Sequence, residues 1–278
     1  MKILLISDFG LHHTVGGAQR SNQLIVDEGI KRGHEISVFH YDGDISLFQK
    51  EYDWIISSNL EAISQIIGNV VEWLDGQPNH IRLEHDMNRY LSNDKRFLLW
   101  RNCKASFFLT RFHYECFRKH YGDYFVNVEF VPDPIDRSFC NRFGKREDCI
   151  LYSGFMHPLK GTHEFFDVVE RNPDKQFLVA GWGPGFEERV KLKNVSFLGQ
   201  VDHFQMVDLY NSVRGWYHMP PIYEPFCRSA GEAMVCGVPE MLTNGIIGAQ
   251  HMYDEDPEGF AEACYNAAST FWGRVECL

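Results

Sequence analysis

Short runs rich in β-branched and aromatic residues recur along the chain, with helix-like stretches between them. In the first half they are Lys2–Ser7, Glu35–His40, Trp54–Ser57, Ile81–His85, Ser106–Leu109 and Val128–Val131. In the second half they are Ile150–Ser153, Phe177–Ala180, Val195–Leu198, Gly215–His218 and Val238–Leu242. Apolar strands alternating with helices predict an α/β protein whose parallel sheets are wound with helices. Between the halves, Val131-Pro132-Asp133-Pro134 breaks helix and strand alike, and the polar stretch Asn141–Asp148 precedes a new strand. The boundary is expected near 138–148, giving a domain over 1–140 and a second over 141–262.

A length of 278 residues is enough for two cores of ordinary size. Hydrophobic content of 44% and charged content of 23% fit a water-soluble globular chain, and no apolar run reaches the roughly 18 residues of a membrane span. The opening Met1–Ser7 turns polar at Asp8, too soon for a leader core, so a cytoplasmic location is expected. The eight cysteines form no C-x-x-C pair and are read as reduced thiols, with neither a zinc site nor a disulfide framework. A net charge of −11 argues against a surface that grips nucleic acid as a whole. One segment reverses that balance. Between Arg89 and Lys119 eight basic residues face two acids and are interleaved with aromatic side chains. Such a surface could meet an anionic membrane or stack on a nucleic acid, whereas the plainer reading is core aromatics with solvated cations.

The most informative stretch runs from Tyr223 to Pro239. Glu224 and Glu232, eight residues apart, bracket the start of a helix rich in small residues, predicted over Ser229–Cys236 and closed by Gly237 and Pro239. Small residues allow a ligand close to the backbone, and the first turn of a helix attracts an anion. Carboxylates on either side would repel a bare phosphate, so they suit hydroxyls: a sugar and a ribose flanking a diphosphate.

This stretch resembles the E-x7-E segment of retaining GT-B glycosyltransferases of the family 4 type, departing from it at Cys227, where glycine is usual, and at Glu240. Other segments fall in the family's order. Gly16-Gly17-Ala18-Gln19-Arg20 resembles its first glycine loop, whose paired glycines would permit positive φ and close approach to the donor phosphates. Lys31-Arg32-Gly33-His34-Glu35 is similar to a helix-to-strand turn with Gly33 as the cap. The loop Gly154–Gly161 resembles a phosphate loop in which Lys160 is the matching lysine, while Phe155 stands where the family carries arginine. Arg228 is the candidate replacement for that lost cation. Gly181-Trp182-Gly183-Pro184 is similar to the turn near the nucleotide base, and Asn194–Val201 borders the same pocket. His85 and Asp86 end a strand, where the family places a histidine close to the transferred sugar.

The resemblance implies a GT-B fold, two Rossmann-like, doubly wound parallel-sheet domains facing a central cleft, with residues 263–278 returning to the first domain. It implies a retaining transfer of a sugar, a hexose as the expected case, from a UDP- or GDP-linked donor to an acceptor hydroxyl, with no cofactor and no metal. Catalytic roles fall to Glu224, His85 and Lys160. Donor contacts fall to Gly16, Gly17, Gly154, Lys160, Gly181, Gly183, Pro225, Phe226, Cys227, Arg228 and Glu232. The acceptor would bind the first domain, a lipid-linked glycan or a modified nucleic acid reached through Arg89–Lys119, with peripheral membrane contact. Asp42-Gly43-Asp44 is read as a turn rather than a metal-holding pair. Phe155 and Cys227 keep an alternative open, a nucleotide-sugar-binding subunit with weakened catalysis. A GT-B sugar-nucleotide epimerase is the remaining alternative.

Overall fold

The computed structural model describes residues 1–13, 16–86 and 97–278. Thr14, Val15 and residues 87–96 lie outside it, and with them Arg89, Tyr90, Asp94, Lys95 and Arg96 of the basic segment. The chain divides into two compact units, Met1–Pro134 with Ala263–Leu278, and Ile135–Glu262. No helix among the described residues is long and apolar enough to cross a membrane.

The first unit holds a six-stranded sheet in the order β2-β1-β3-β4-β5-β6. Its strands are β1 (Lys2–Ile6), β2 (Glu35–Phe39), β3 (Trp54–Ser57), β4 (His80–Leu83), β5 (Ala105–Phe108) and β6 (Val128–Phe130). All of its strand pairs are parallel. Parallel pairing demands crossovers, and these cover both faces of the sheet. One face packs Ile3, Leu5, Ile81 and Phe107 against the helices Gly17–Lys31 and Ala267–Val275. The other packs Leu4, Ile6, Phe108 and Trp100 against Phe117 of the helix Arg111–Tyr121. The C-terminal helix is fastened by Trp272, fully buried, whose Nε1 donates to the carbonyl of Ile25 at 2.7 Å. Arg32 ends the Gly17–Lys31 helix, and Gly33 beyond it adopts φ +84°, the left-handed cap its place in the sequence predicts.

The second unit holds a five-stranded parallel sheet in the order β11-β10-β7-β8-β9. Its strands are β7 (Glu147–Phe155), β8 (Gln176–Trp182), β9 (Val195–Gly199), β10 (Val213–His218) and β11 (Glu240–Thr243). Tyr152, Phe165, Phe177, Val179 and Tyr217 form its main core. In each sheet the winding reverses once, between β1 and β3 in the first and between β7 and β10 in the second. In open α/β sheets such a reversal leaves a crevice at the carboxyl ends of the two flanking strands, where ligands bind.

Within 97–119 four aromatic side chains are structural: Trp100, Phe107, Phe108 and Phe117 are fully buried. Arg101 pairs with Asp75 and Arg118 with Asp123. Burial thus accounts for four of the aromatic side chains and ion pairing for two of the cations, while Lys104, Arg111 and Lys119 are exposed.

Candidate active site

The loops that leave β7 and β10 carry the chemistry of the second unit. After β7 the chain makes a short 3-10 turn at Pro158–Lys160, fixed by the His157 side chain accepting from the Leu159 amide. Gly161 then adopts φ +72°, and a Cβ there would stand 2.2 Å from the carbonyl oxygen of Met219. Only glycine lets the β7 loop lie this close to the backbone leaving β10. The consequence is contact between the two loops: Lys160 Nζ donates to Glu224 Oε1 at 2.6 Å.

Glu224 is 8% exposed, held by a bridge of its backbone to Ile247. His218, the last residue of β10, places Nε2 3.3 Å from the same Oε1. Burial alone would raise the Glu224 carboxyl, but the His218 hydrogen bond and the Lys160 charge outweigh it and hold it down at about 2. Burial likewise works against a charged His218, yet the neighbouring Cys227 sulfur and Glu224 push it up to about 9. A carboxylate fixed between two cationic groups is an ionised hydrogen-bond acceptor, suited to hydroxyls, and not a proton donor.

The helix beyond it spans Arg228–Val235, with Cys227 as the N-cap at φ +67° and Gly237 in the left-handed conformation past its end. Arg228 and Glu232 lie one turn apart, and Arg228 Nε donates to Glu232 Oε1 at 2.9 Å with both side chains largely buried. The cation proposed for the phosphate and the acid proposed for the ribose thus hold one another. Phe226 is 1% exposed, stacked on Phe260 and pressed against Gly231. Its side chain is core, and its carbonyl accepts from the Ala249 amide.

Three glycines predicted at the site have different physical reasons. Gly154 adopts φ +122° at the end of β7. A Cβ at Gly181 would come 1.9 Å from the Gly154 carbonyl oxygen, and one at Gly183 would come 2.0 Å from that of Met156. They let the ends of β7 and β8 close together. Phe155 and Trp182, register partners there, are exposed and meet edge to face at 4.9 Å. In the first unit the expectation for Gly16 is corrected: its φ is −120° in extended backbone, and it caps the Gly17–Lys31 helix. Among the described residues a Cβ there would meet only Gln19, whose Oε1, 2.2 Å away, is the mobile end of a side chain that can turn aside.

The strand ends of the first unit gather a polar cluster. His85, 6% exposed, faces Asn22 Oδ1 at 3.1 Å through Nε2 and Asp133 Oδ1 at 3.4 Å through Nδ1. Asn22 Nδ2 donates in turn to Ser7, and Asn59 donates to Asp86. Asp8 accepts from the amide of Ile63, and burial with the Asp8 contact pushes the Glu61 carboxyl up to about 8. Asp44 caps the turn Ile45–Gln49, and Asp42 pairs with His13. His218 was not among the residues expected from the sequence. The signal was present, since it ends a predicted strand in the same way as His85.

Two doubly wound sheets, one of which unites a lysine, a carboxylate and a helix N-terminus at its winding reversal, define a protein of the GT-B class. Residues 137–272 match the family model described as glycosyl transferases group 1. Solved structures with the same fold include sucrose-phosphate synthase from Thermosynechococcus elongatus, 15% identical, covering 100% of this chain and 94% of that one at a TM-score of 0.67. HepE from Anabaena in complex with UDP-glucose is 16% identical over 97% of this chain and 94% of its own, TM-score 0.65. An alpha-glucosyltransferase in complex with UDP and DNA is 14% identical over 96% and 95%, TM-score 0.59. No curated protein sequence matches the chain.

Proposed function

We propose that the protein is a retaining glycosyltransferase that moves a hexose from a UDP- or GDP-sugar to an acceptor hydroxyl without a catalytic metal. The observation that carries this reading is the Lys160–Glu224 contact, made where the winding of the second sheet reverses. Lys160 releases Glu224 to the sugar hydroxyls and turns to the diphosphate, whose departure requires fixed positive charge. The amides of the Arg228–Val235 helix supply further donors. Glu232 exchanges its contact with Arg228 for the ribose hydroxyls, freeing the guanidinium for the phosphate that the missing arginine at Phe155 would otherwise meet. The acceptor attacks on the face the leaving phosphate vacates, and that phosphate takes its proton, so no separate base is needed.

His85 and its neighbours at the strand ends of the first unit receive the acceptor. The charge of −11 and the burial of Trp100, Phe107, Phe108 and Phe117 favour a free or lipid-linked glycan over a nucleic acid. A panel of UDP- and GDP-sugars tests the reading. One should raise the melting temperature in proportion to ligand concentration, and nuclear magnetic resonance of its turnover should show the anomeric configuration kept. An inverted product, or stabilisation by none of the panel, contradicts it.

A further inference from the structure

We propose that His218, Glu224 and Cys227 form a binding site for a thiophilic divalent cation of the Zn2+ class. All three come from one ten-residue stretch in the spacing H-x5-E-x2-C. One ligand atom from each lies within 4.8 Å of the other two. Imidazole nitrogen, carboxylate oxygen and thiolate sulfur are the donor types zinc accepts, and three protein ligands leave a fourth position open.

One edge of this triangle has the length of an edge in a coordination shell, and the Cys227 sulfur lies within 4.8 Å of a ligand atom of each of the other two residues. Ligands at about 2.0–2.1 Å around a tetrahedral ion stand about 3.3 Å apart, and His218 Nε2 lies 3.3 Å from Glu224 Oε1. His218 is 3% exposed, its Nδ1 has no hydrogen-bond partner among the described residues, and Nε2 is the nitrogen that faces Glu224. The stretch is fixed at both ends, by β10 at His218 and by the helix that begins after Cys227. On binding the ion, His218 and Cys227 release their protons to solvent, and the resulting two anionic ligands and neutral imidazole balance a dication and answer the positive end of that helix. Lys160 shares Glu224 Oε1 and must withdraw, which its 42% exposed side chain allows. A search for paired cysteines or histidines passes over this set because each ligand type occurs once.

An ion here occupies the carboxylate that the proposed function gives to the donor sugar, so metal and donor exclude one another. This consequence rests on that function; the site itself does not. Titration with Co2+ reads the site directly, through thiolate-to-cobalt charge-transfer absorption. The wild type should take up about one equivalent, displaced by Zn2+. A Cys140→Ser/Cys277→Ser variant, lacking the two exposed cysteines, should behave alike. Cys227→Ala should lose the band, and His218→Gln should weaken uptake at least about tenfold, both with wild-type circular dichroism. No band in the wild type, or one surviving in Cys227→Ala, overturns the site. Saturating Zn2+ should weaken UDP-glucose binding at least about tenfold, and unchanged affinity overturns the exclusion. A cobalt band in a protein that binds no nucleotide sugar upholds the site and sinks the glycosyltransferase reading instead.

Discussion

Glu224 is the residue on which the proposed chemistry turns. Its carboxylate is held ionised by His218 and Lys160, so replacing it by glutamine keeps the shape and removes the charge. Glu224→Gln should fold normally and lower kcat by about 10²-fold or more, as loss of a preorganised electrostatic contact does. Steady-state kinetics beside a thermal melt checks both parts. Gly161 makes a separate claim. With φ at +72° and a carbonyl 2.2 Å from any Cβ, Gly161→Ala should cost about 1–3 kcal/mol in urea denaturation. Glu61 makes one contribution to the pH dependence of stability. Its folded carboxyl, raised by burial and by Asp8, keeps a proton that the unfolded chain has lost above the ordinary carboxylate range. That group's contribution is therefore full at low pH and fades as pH rises through about 8. The loss should reach at most about 1.4 kcal/mol per pH unit, and Glu61→Gln should flatten it in urea titrations at pH values across that window.

Among the elements, the C-terminal helix Ala267–Val275 is the clearest test of the first unit. Trp272 fills the space beside Gly29 and donates to Ile25, so Trp272→Ala should lose about 3–5 kcal/mol, measured by urea denaturation. The elements themselves were largely legible. Strands buried on both faces of a parallel sheet are written as unbroken apolar runs, and Gly33 and Gly237 mark helix ends because each takes φ near +70 to +85°. The helix at the candidate site was placed within one residue, Arg228–Val235 against an expected Ser229–Cys236. Side-chain partnership was not legible. No periodicity says that Arg228 donates to Glu232 or that Phe226 faces Phe260, because these depend on rotamers and on neighbours that folding brings together. His218 lay between these cases: its strand was readable and its carboxylate partner was six residues away.

For the molecule as a whole, charge and fold bear on what it can handle. A chain with a net charge of −11 should bind an unmodified oligonucleotide negligibly at physiological salt, since nonspecific affinity comes from neutralising phosphates. Fluorescence polarisation with a labelled duplex checks this, and tight, salt-sensitive binding would point to a nucleic-acid acceptor instead. The central claim is that the loops leaving β7 and β10 hold a nucleotide sugar through Lys160 and Glu224. Isothermal titration of UDP- and GDP-sugars into wild-type protein and Lys160→Ala tests it most directly. One nucleotide sugar should bind the wild type at a single site and bind Lys160→Ala at least about tenfold more weakly, the loss of one charge-assisted phosphate contact. Equal affinity in the two proteins, or no binding in either, would contradict it.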